Sequence, residues 1–300
     1  MKTTSRVNDK VGFRNVLFAT DFSAAAMQAL PYATGIARRF GSKLYVAHIV
    51  PPEDYPSGLS SSEEAARAGC RQAEPNLNSV LNSALCRGLS CQALIGDGDI
   101  WIGLSNIIRQ HAADLLVMGT IGRRGVGKVL LGSVAEEAMR ESRCPVLTIG
   151  PESHSAEESV FERILYATDF STDSLAAVPY ALAFVKKYNS RIVLVHALEH
   201  LPESPYLDAQ MARVHLRDLV SQRANLVAEP EIIVEMGSAA DVILKAADHA
   251  ASDLIVIGAR GAGAFARLAS HFGSVAHKIV CRAACPVLTV RPLHDRDKEQ

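Results

Sequence analysis

Residues 119–133 carry the densest chemical signal in the chain: Gly119-Thr-Ile-Gly122, nine further residues, then Gly132-Ser133. Glycines let backbone amides come close to phosphate oxygens. Ser133, at the start of a segment with helical spacing, adds a hydroxyl and the orphan N–H groups at the positive end of a helix dipole. The implied chemistry is phosphate binding. Asp21 closes the first apolar segment, and two readings of it stand side by side. A carboxylate facing a phosphate loop is repelled, so Asp21 is expected to address the base or ribose end of a nucleotide; alternatively it only ends a strand as an Asx turn. Arg123, Arg124 and Lys128 are either phosphate contacts or part of a solvated loop.

Neighbouring patterns imitate other chemistries and fail on particular residues. Gly122-Arg-Arg-Gly-Val-Gly127-Lys128-Val129 is one residue from a P-loop, but Val129 stands where a hydroxyl must hold Mg²⁺. Gly261-Ala-Gly263-Ala-Phe-Ala266 imitates a dinucleotide fingerprint, yet it follows the fourth strand of its half and not the first. Cys281 and Cys285 are spaced for one helix face, but Pro286 argues that the helix ends there, and no further ligand pair accompanies them. No nucleophile elbow or Cys–His arrangement stands out, so no catalytic residue and no metal ligand is assigned. His48 and His196 lie in apolar runs and are read as core residues with one satisfied ring nitrogen.

The elements that must position these residues occur twice. Residues 16–23 (Val-Leu-Phe-Ala-Thr-Asp-Phe-Ser) return as 164–171 (Ile-Leu-Tyr-Ala-Thr-Asp-Phe-Ser), and Cys-Pro-Val-Leu-Thr at 144–148 returns at 285–289. Asp21 and Asp169 are 148 residues apart, which is the length of a domain and not of a solenoid repeat. The first half reads as strand 15–20, helix 23–40 kinked at Pro31, strand 43–49, loop 51–62, a weaker helix 63–87 broken near Pro75, strand 90–95, helix 100–111, strand 114–118, the glycine loop, helix 133–142 and strand 146–149. The second half reads as strand 163–168, helix 171–188, strand 191–197, helix 207–225, strand 231–235, helix 239–250, strand 253–257, loop, helix 274–282 and strand 287–290. Strands alternating with helices specify α/β domains with doubly wound parallel sheets, five strands in each. The expected organisation is domain 1 at 1–150, a linker at 151–160, domain 2 at 161–293 and a polar tail at 294–300. In such sheets ligands sit beyond the carboxyl ends of the strands, where Asp21 and Gly119 both fall.

Composition bounds the partners. With a net charge of −1 over 300 residues, the chain has no basic footprint for nucleic acid or an anionic membrane. No apolar run approaches a membrane span, and the polar opening residues lack a signal-peptide core. Six scattered cysteines suit a reduced, cytoplasmic setting.

With these motifs in place, the chain resembles a tandem universal stress protein nearly end to end. Gly-x2-Gly-x9-Gly-Ser at 119–133, the opening Ala-Thr-Asp-Phe-Ser and the closing Cys-Pro-Val-Leu-Thr carry the resemblance. It implies Rossmann-like domains of strand order 3-2-1-4-5, with the halves pairing through their last strands, and a homodimer as a further form. It implies ATP or AMP as ligand, with or without Mg²⁺, bound without established catalysis; a module without nucleotide and a slow ATPase are the alternatives. By resemblance Asp21 and Ile49 flank the adenine. Met118, Gly119, Gly122, Gly132, Ser133 and Val134 surround ribose and phosphates, and Ala19, Thr20 and Arg123 complete the set. The second set is Asp169, Ala197, Ile257, Gly258, Gly261, Gly273 and Ser274. That half departs from the pattern: eleven residues, not nine, separate Gly261 from Gly273, and Ala197 replaces Ile49, which is expected to loosen that wall.

Overall fold

The computed structural model describes residues 11–122, 131–153, 161–199, 205–221, 226–259 and 274–292. Arg123, Arg124, Lys128, Gly261, Gly263, Gly273 and the 294–300 tail lie outside them. The chain divides into two compact units, one within residues 13–153 and one within 161–292, and each is described by itself.

In the first unit the order is β1 (Asn15–Ala19), α1 (Ala24–Met27), α2 (Leu30–Phe40), β2 (Lys43–Val50), α3 (Ser62–Leu81), β3 (Cys91–Asp97), α4 (Ile100–Gln110), β4 (Leu115–Gly119), α5 (Ser133–Glu141) and β5 (Val146–Ile149). The strands are parallel in the order β3-β2-β1-β4-β5. The second unit repeats this as β6 (Arg163–Ala167), α6 (Thr172–Leu175), α7 (Val178–Tyr188), β7 (Arg191–Leu198), α8 (Pro205–Ser221), β8 (Glu231–Met236), α9 (Ala239–His249), β9 (Leu254–Gly258), α10 (Ser274–Arg282) and β10 (Val287–Val290). Its strands are parallel in the order β8-β7-β6-β9-β10. The order reverses between β1 and β4, and again between β6 and β9. These are the topological switch points at which such sheets hold ligands.

The central strands are buried on both faces, as their unbroken apolar runs require: Val16, Leu17 and Phe18 are fully buried, and so are Leu115, Leu116 and Val117. An aspartate fixes the start of each central strand. Asp114 accepts from the amides of Arg14 (2.7 Å) and Asn15 (3.1 Å). Asp253 accepts from those of Glu162 and Arg163, both at 2.9 Å.

Proline behaves differently at its two kinds of site. The helix expected over 23–40 is two helices, with Pro31 in the first turn of α2, and Pro179 divides α6 from α7 in the same way. A first-turn proline gives up no intrahelical bond, so splitting the helix is the lower-energy outcome. Pro75, by contrast, lies inside α3, which runs unbroken from Ser62 to Leu81. Residues 74–76 face solvent, where water can take the carbonyl that Pro75 leaves unbonded. The helix then ends six residues short of the expected 87.

Candidate functional site

The segment Ala19-Thr-Asp-Phe-Ser23 turns the chain from β1 into α1 by bonding to itself. Thr20 Oγ1 accepts from the Phe22 amide (2.9 Å), Asp21 Oδ1 from the Ser23 amide (2.9 Å), and Ser23 Oγ caps α1 at the Ala26 amide (3.1 Å). Phe22 is held at φ +62°, a strained conformation for a bulky residue, and its ring lies 4.5 Å from that of His48. His48 Nδ1 donates to the Thr20 carbonyl at 2.8 Å. The second copy reproduces every part: Phe170 at φ +60°, its ring 4.7 Å from His196, and His196 Nδ1 donating to Thr168 O at 2.8 Å. His48 is therefore a buried residue that locks the strand end while also lining the cavity described below, and the half-buried His196 makes the same bond. Asp21 and Asp169 both make Asx turns, Asp169 Oδ1 accepting from the Ser171 amide at 3.0 Å.

Each described glycine of the 119–133 pattern has a requirement inside the chain itself. A Cβ on Gly119 would stand 3.1 Å from Ala25 O and Ala26 Cα, so this glycine lets α1 close onto the end of β4. A Cβ on Gly122 would lie 2.8 Å from Asp21 Oδ2, which places the carboxylate against the start of the loop as well as beside the strand end. Gly132 donates its amide to Thr120 O at 2.8 Å, and a Cβ there would approach that carbonyl to 3.2 Å. The two ends of the loop are thus tied together just before α5 begins.

That closure shapes a cavity of about 540 Å³ at the carboxyl ends of β1, β2 and β4. Ala19, Thr20, Asp21, Ile49, Met118, Gly119, Gly122, Gly132, Ser133 and Val134 all line it, so the structure brings together every described residue of the first candidate set. It adds Pro51, Glu53, Asp54, Ile100 and Leu104, which sequence reasoning did not select. Ile100 and Leu104 carried a usable signal, since their four-residue spacing puts both on one face of α4.

Two properties set the chemistry. First, α5 has no side-chain cap, and no acceptor among the described residues meets the amides of Ser133, Val134 or Ala135, all of which line the cavity. A nine-residue helix therefore points its positive end into the cavity, which suits an anion. Second, the charged side chains among the described lining residues are Asp21, Glu53 and Asp54, all acidic, so any attraction for a phosphate from these residues comes from backbone amides. Among the described residues no group of three or more His, Cys, Asp or Glu can hold a metal ion. No described helix is long and apolar enough to cross a membrane.

The wall near Ile49 is built by exchange of volume. Ile49 is wedged between two glycines: a Cβ on Gly96 would lie 2.9 Å, and one on Gly103 2.8 Å, from its Cδ1. In the second unit the smaller Ala197 pairs with Glu235 in the register where Ile49 pairs with Gly96. Val242, the fourth residue of α9, stands where Gly103 is the fourth residue of α4, and it is buried. At this position the second unit thus carries the smaller residue on the strand and the larger one on the helix, and Ala197 is half-buried where Ile49 is buried. Of the second candidate set, Ala197 is half-buried near the end of β7, and Ile257 and Gly258 end β9. Ser274 opens α10.

The fold and cavity define a class: tandem doubly wound α/β domains with a cleft at the switch point of the first sheet. The sequence pattern of the universal stress protein family matches residues 12–150 and again 161–291. The chain belongs to that family. It is 34% identical over 140 residues to "Universal stress protein in QAH/OAS sulfhydrylase 3'region" of Thermus aquaticus, which covers 44% of this chain and 100% of that relative. It is 25% identical over 293 residues to a universal stress protein of Mycolicibacterium smegmatis, covering 92% of this chain and 97% of that one. Among solved structures, a universal stress protein from Archaeoglobus fulgidus superposes with a TM-score of 0.73 at 21% identity, over 92% of this chain and 98% of the other.

Proposed function

We propose that the first domain binds an adenine nucleotide, ATP or AMP, without turning it over, and that the protein serves the stress response through the state this ligand stabilises. The observation that carries the reading is the uncapped N-terminus of α5 opening into the 540 Å³ cavity at the switch point. The volume is in the range that encloses a ligand of nucleotide size. In this reading the phosphates sit on the amides of Ser133, Val134 and Ala135. The base lies toward Ile49, Ile100 and Leu104, which supply an apolar wall. Mg²⁺ would accompany ATP on the phosphate oxygens, since the described residues offer it no protein cage.

Bound nucleotide shifts conformation or assembly only as far as it prefers one state. The junction of Thr120 with Gly132, joined at 2.8 Å just before α5, is the element it would favour. None of the six cysteines is in a disulfide, which suits a reducing compartment, and we place the protein's action in the cytoplasm.

The test is the nucleotide content of freshly purified protein, released by acid and quantified per chain by chromatography. Adenine nucleotide near one per chain supports the reading. None, confirmed by titration with ATP and Mg²⁺, refutes it and leaves an interaction module without ligand.

A further inference from the structure

The duplication supplies an internal control, since each cavity-lining residue of the first domain has a counterpart in the second. β2 and β7 are both eight residues long, so Pro51 and Glu199 each follow the strand. α4 and α9 are both eleven residues long, so Ile100 and Ala239 each open the helix. In the first domain Pro51 and Ile100 line the cavity, and no acceptor among the described residues meets the Ile100 amide. In the second domain Glu199 Oε1 accepts from the Ala239 amide at 3.0 Å. A carboxylate therefore bridges the strand end and the helix start at the corner that the first cavity leaves open to a base.

The opposite corner changes in the same sense. Asp173 is the second residue of α6, where α1 has Ala25. This first turn packs against the glycine that ends the fourth strand. A Cβ on Gly258 would stand 2.9 Å from Asp173 C and 2.8 Å from Ser174 N. A negative charge thus enters the turn that borders the phosphate end in the first domain, where Ala26 lines the cavity. Ser174, the counterpart of Ala26, is occupied with Thr168 Oγ1 at 2.8 Å.

We infer that Glu199 and Asp173 are specificity-determining residues that make the second cleft reject adenine nucleotides, so that the chain takes up one nucleotide through its first domain only. Glu199 occupies the helix amide nearest the base, and Asp173 brings an acidic residue into the turn that packs against the end of β9. The inference rests on the first-domain reading, and the test separates the two.

Equilibrium dialysis of the full chain against labelled Mg²⁺–ATP gives the number bound. One per chain, falling to none in Gly132→Val, is the expected result. Two per chain, with one surviving in Gly132→Val, overturns the inference and leaves the first-domain reading intact. None in the unmodified chain overturns the first-domain reading and, with it, this inference. The second arm introduces Asp173→Ala and Glu199→Ala into the Gly132→Val chain. Glu199 is exposed and Asp173 half-buried, so the fold is expected to persist, which circular dichroism checks. Binding in the second domain should then tighten by about tenfold or more. A folded variant with no gain overturns the assignment of these two residues.

Discussion

Replacing Gly103 by Val in the first domain tests whether volume has been exchanged between β2 and α4. A Cβ at Gly103 would stand 2.8, 3.0 and 3.2 Å from Cδ1, Cγ1 and Cγ2 of Ile49, and the space around Gly96 closes the other side at 2.9 Å from Cδ1. Ile49 is β-branched and 4% exposed, so its χ1 is restricted and relief has to come from movement toward the cavity it lines. Overpacking of this kind costs about 1–3 kcal/mol, offset by roughly 0.3 kcal/mol because valine is a better helix former than glycine. Ile49→Ala alone leaves a gap and should cost about 2 kcal/mol, the low end for such truncations, because one side of the site is an open cavity. The double variant gives the first domain the residue types that the second has at the equivalent positions, Ala197 on the strand and Val242 on the helix. It should be more stable than the sum of the single losses by about 1–3 kcal/mol. The chain's one tryptophan, Trp101, lies on α4, so its fluorescence in a urea titration reports the first domain selectively. Additive effects, within about 0.5 kcal/mol, would refute the exchange.

Gly258→Ala should destabilise the second domain by about 2–4 kcal/mol, because the new methyl meets the backbone of Asp173 and Ser174 at 2.8–2.9 Å and backbone cannot swing aside. Hydrogen exchange of the β9 amides measures this, and protection equal to that of the unmodified chain would contradict it. Burial pushes the Cys144 thiol up to about 11 and that of Cys285 to about 12. Both should resist iodoacetamide at pH 8 until urea unfolds the chain, as mass spectrometry of the alkylated peptides would show; labelling of the native protein at the unfolded rate would contradict their burial. The same thiols make stability fall with pH. Unfolded cysteines ionise near 9 while the folded ones stay protonated, so their contribution is complete below about 9 and declines as pH rises toward 11.

Much of the fold is legible because it is written twice. The Ala-Thr-Asp-Phe-Ser turn, the alternating elements and the Cys-Pro-Val-Leu-Thr strand each act through local bonding or unbroken apolar runs, which a sequence displays directly. The split at Pro31 was visible as a kink, but whether a proline divides a helix or rides within it depends on which face is solvated, as Pro75 shows. The glycines were legible as a loop and less so in their reasons, because the close approaches of Ala25, Asp21 and Thr120 arise only when α1, β1 and β4 are assembled. The pairing of Ile49 with Gly103 joins residues of a strand and a helix 54 positions apart, and no local pattern marks it. Glu199 was overlooked for the same reason, since its partner amide, Ala239, is forty residues away.

The central claim is that nucleotide phosphates rest on the start of α5. The most direct measurement is an amide-resolved NMR titration of the full chain with AMP and with Mg²⁺–ATP. The largest shifts should fall at Gly119–Gly122 and Gly132–Ala135, with no comparable change at Gly258 or Ser274. An unperturbed α5 start under saturating nucleotide would contradict the account.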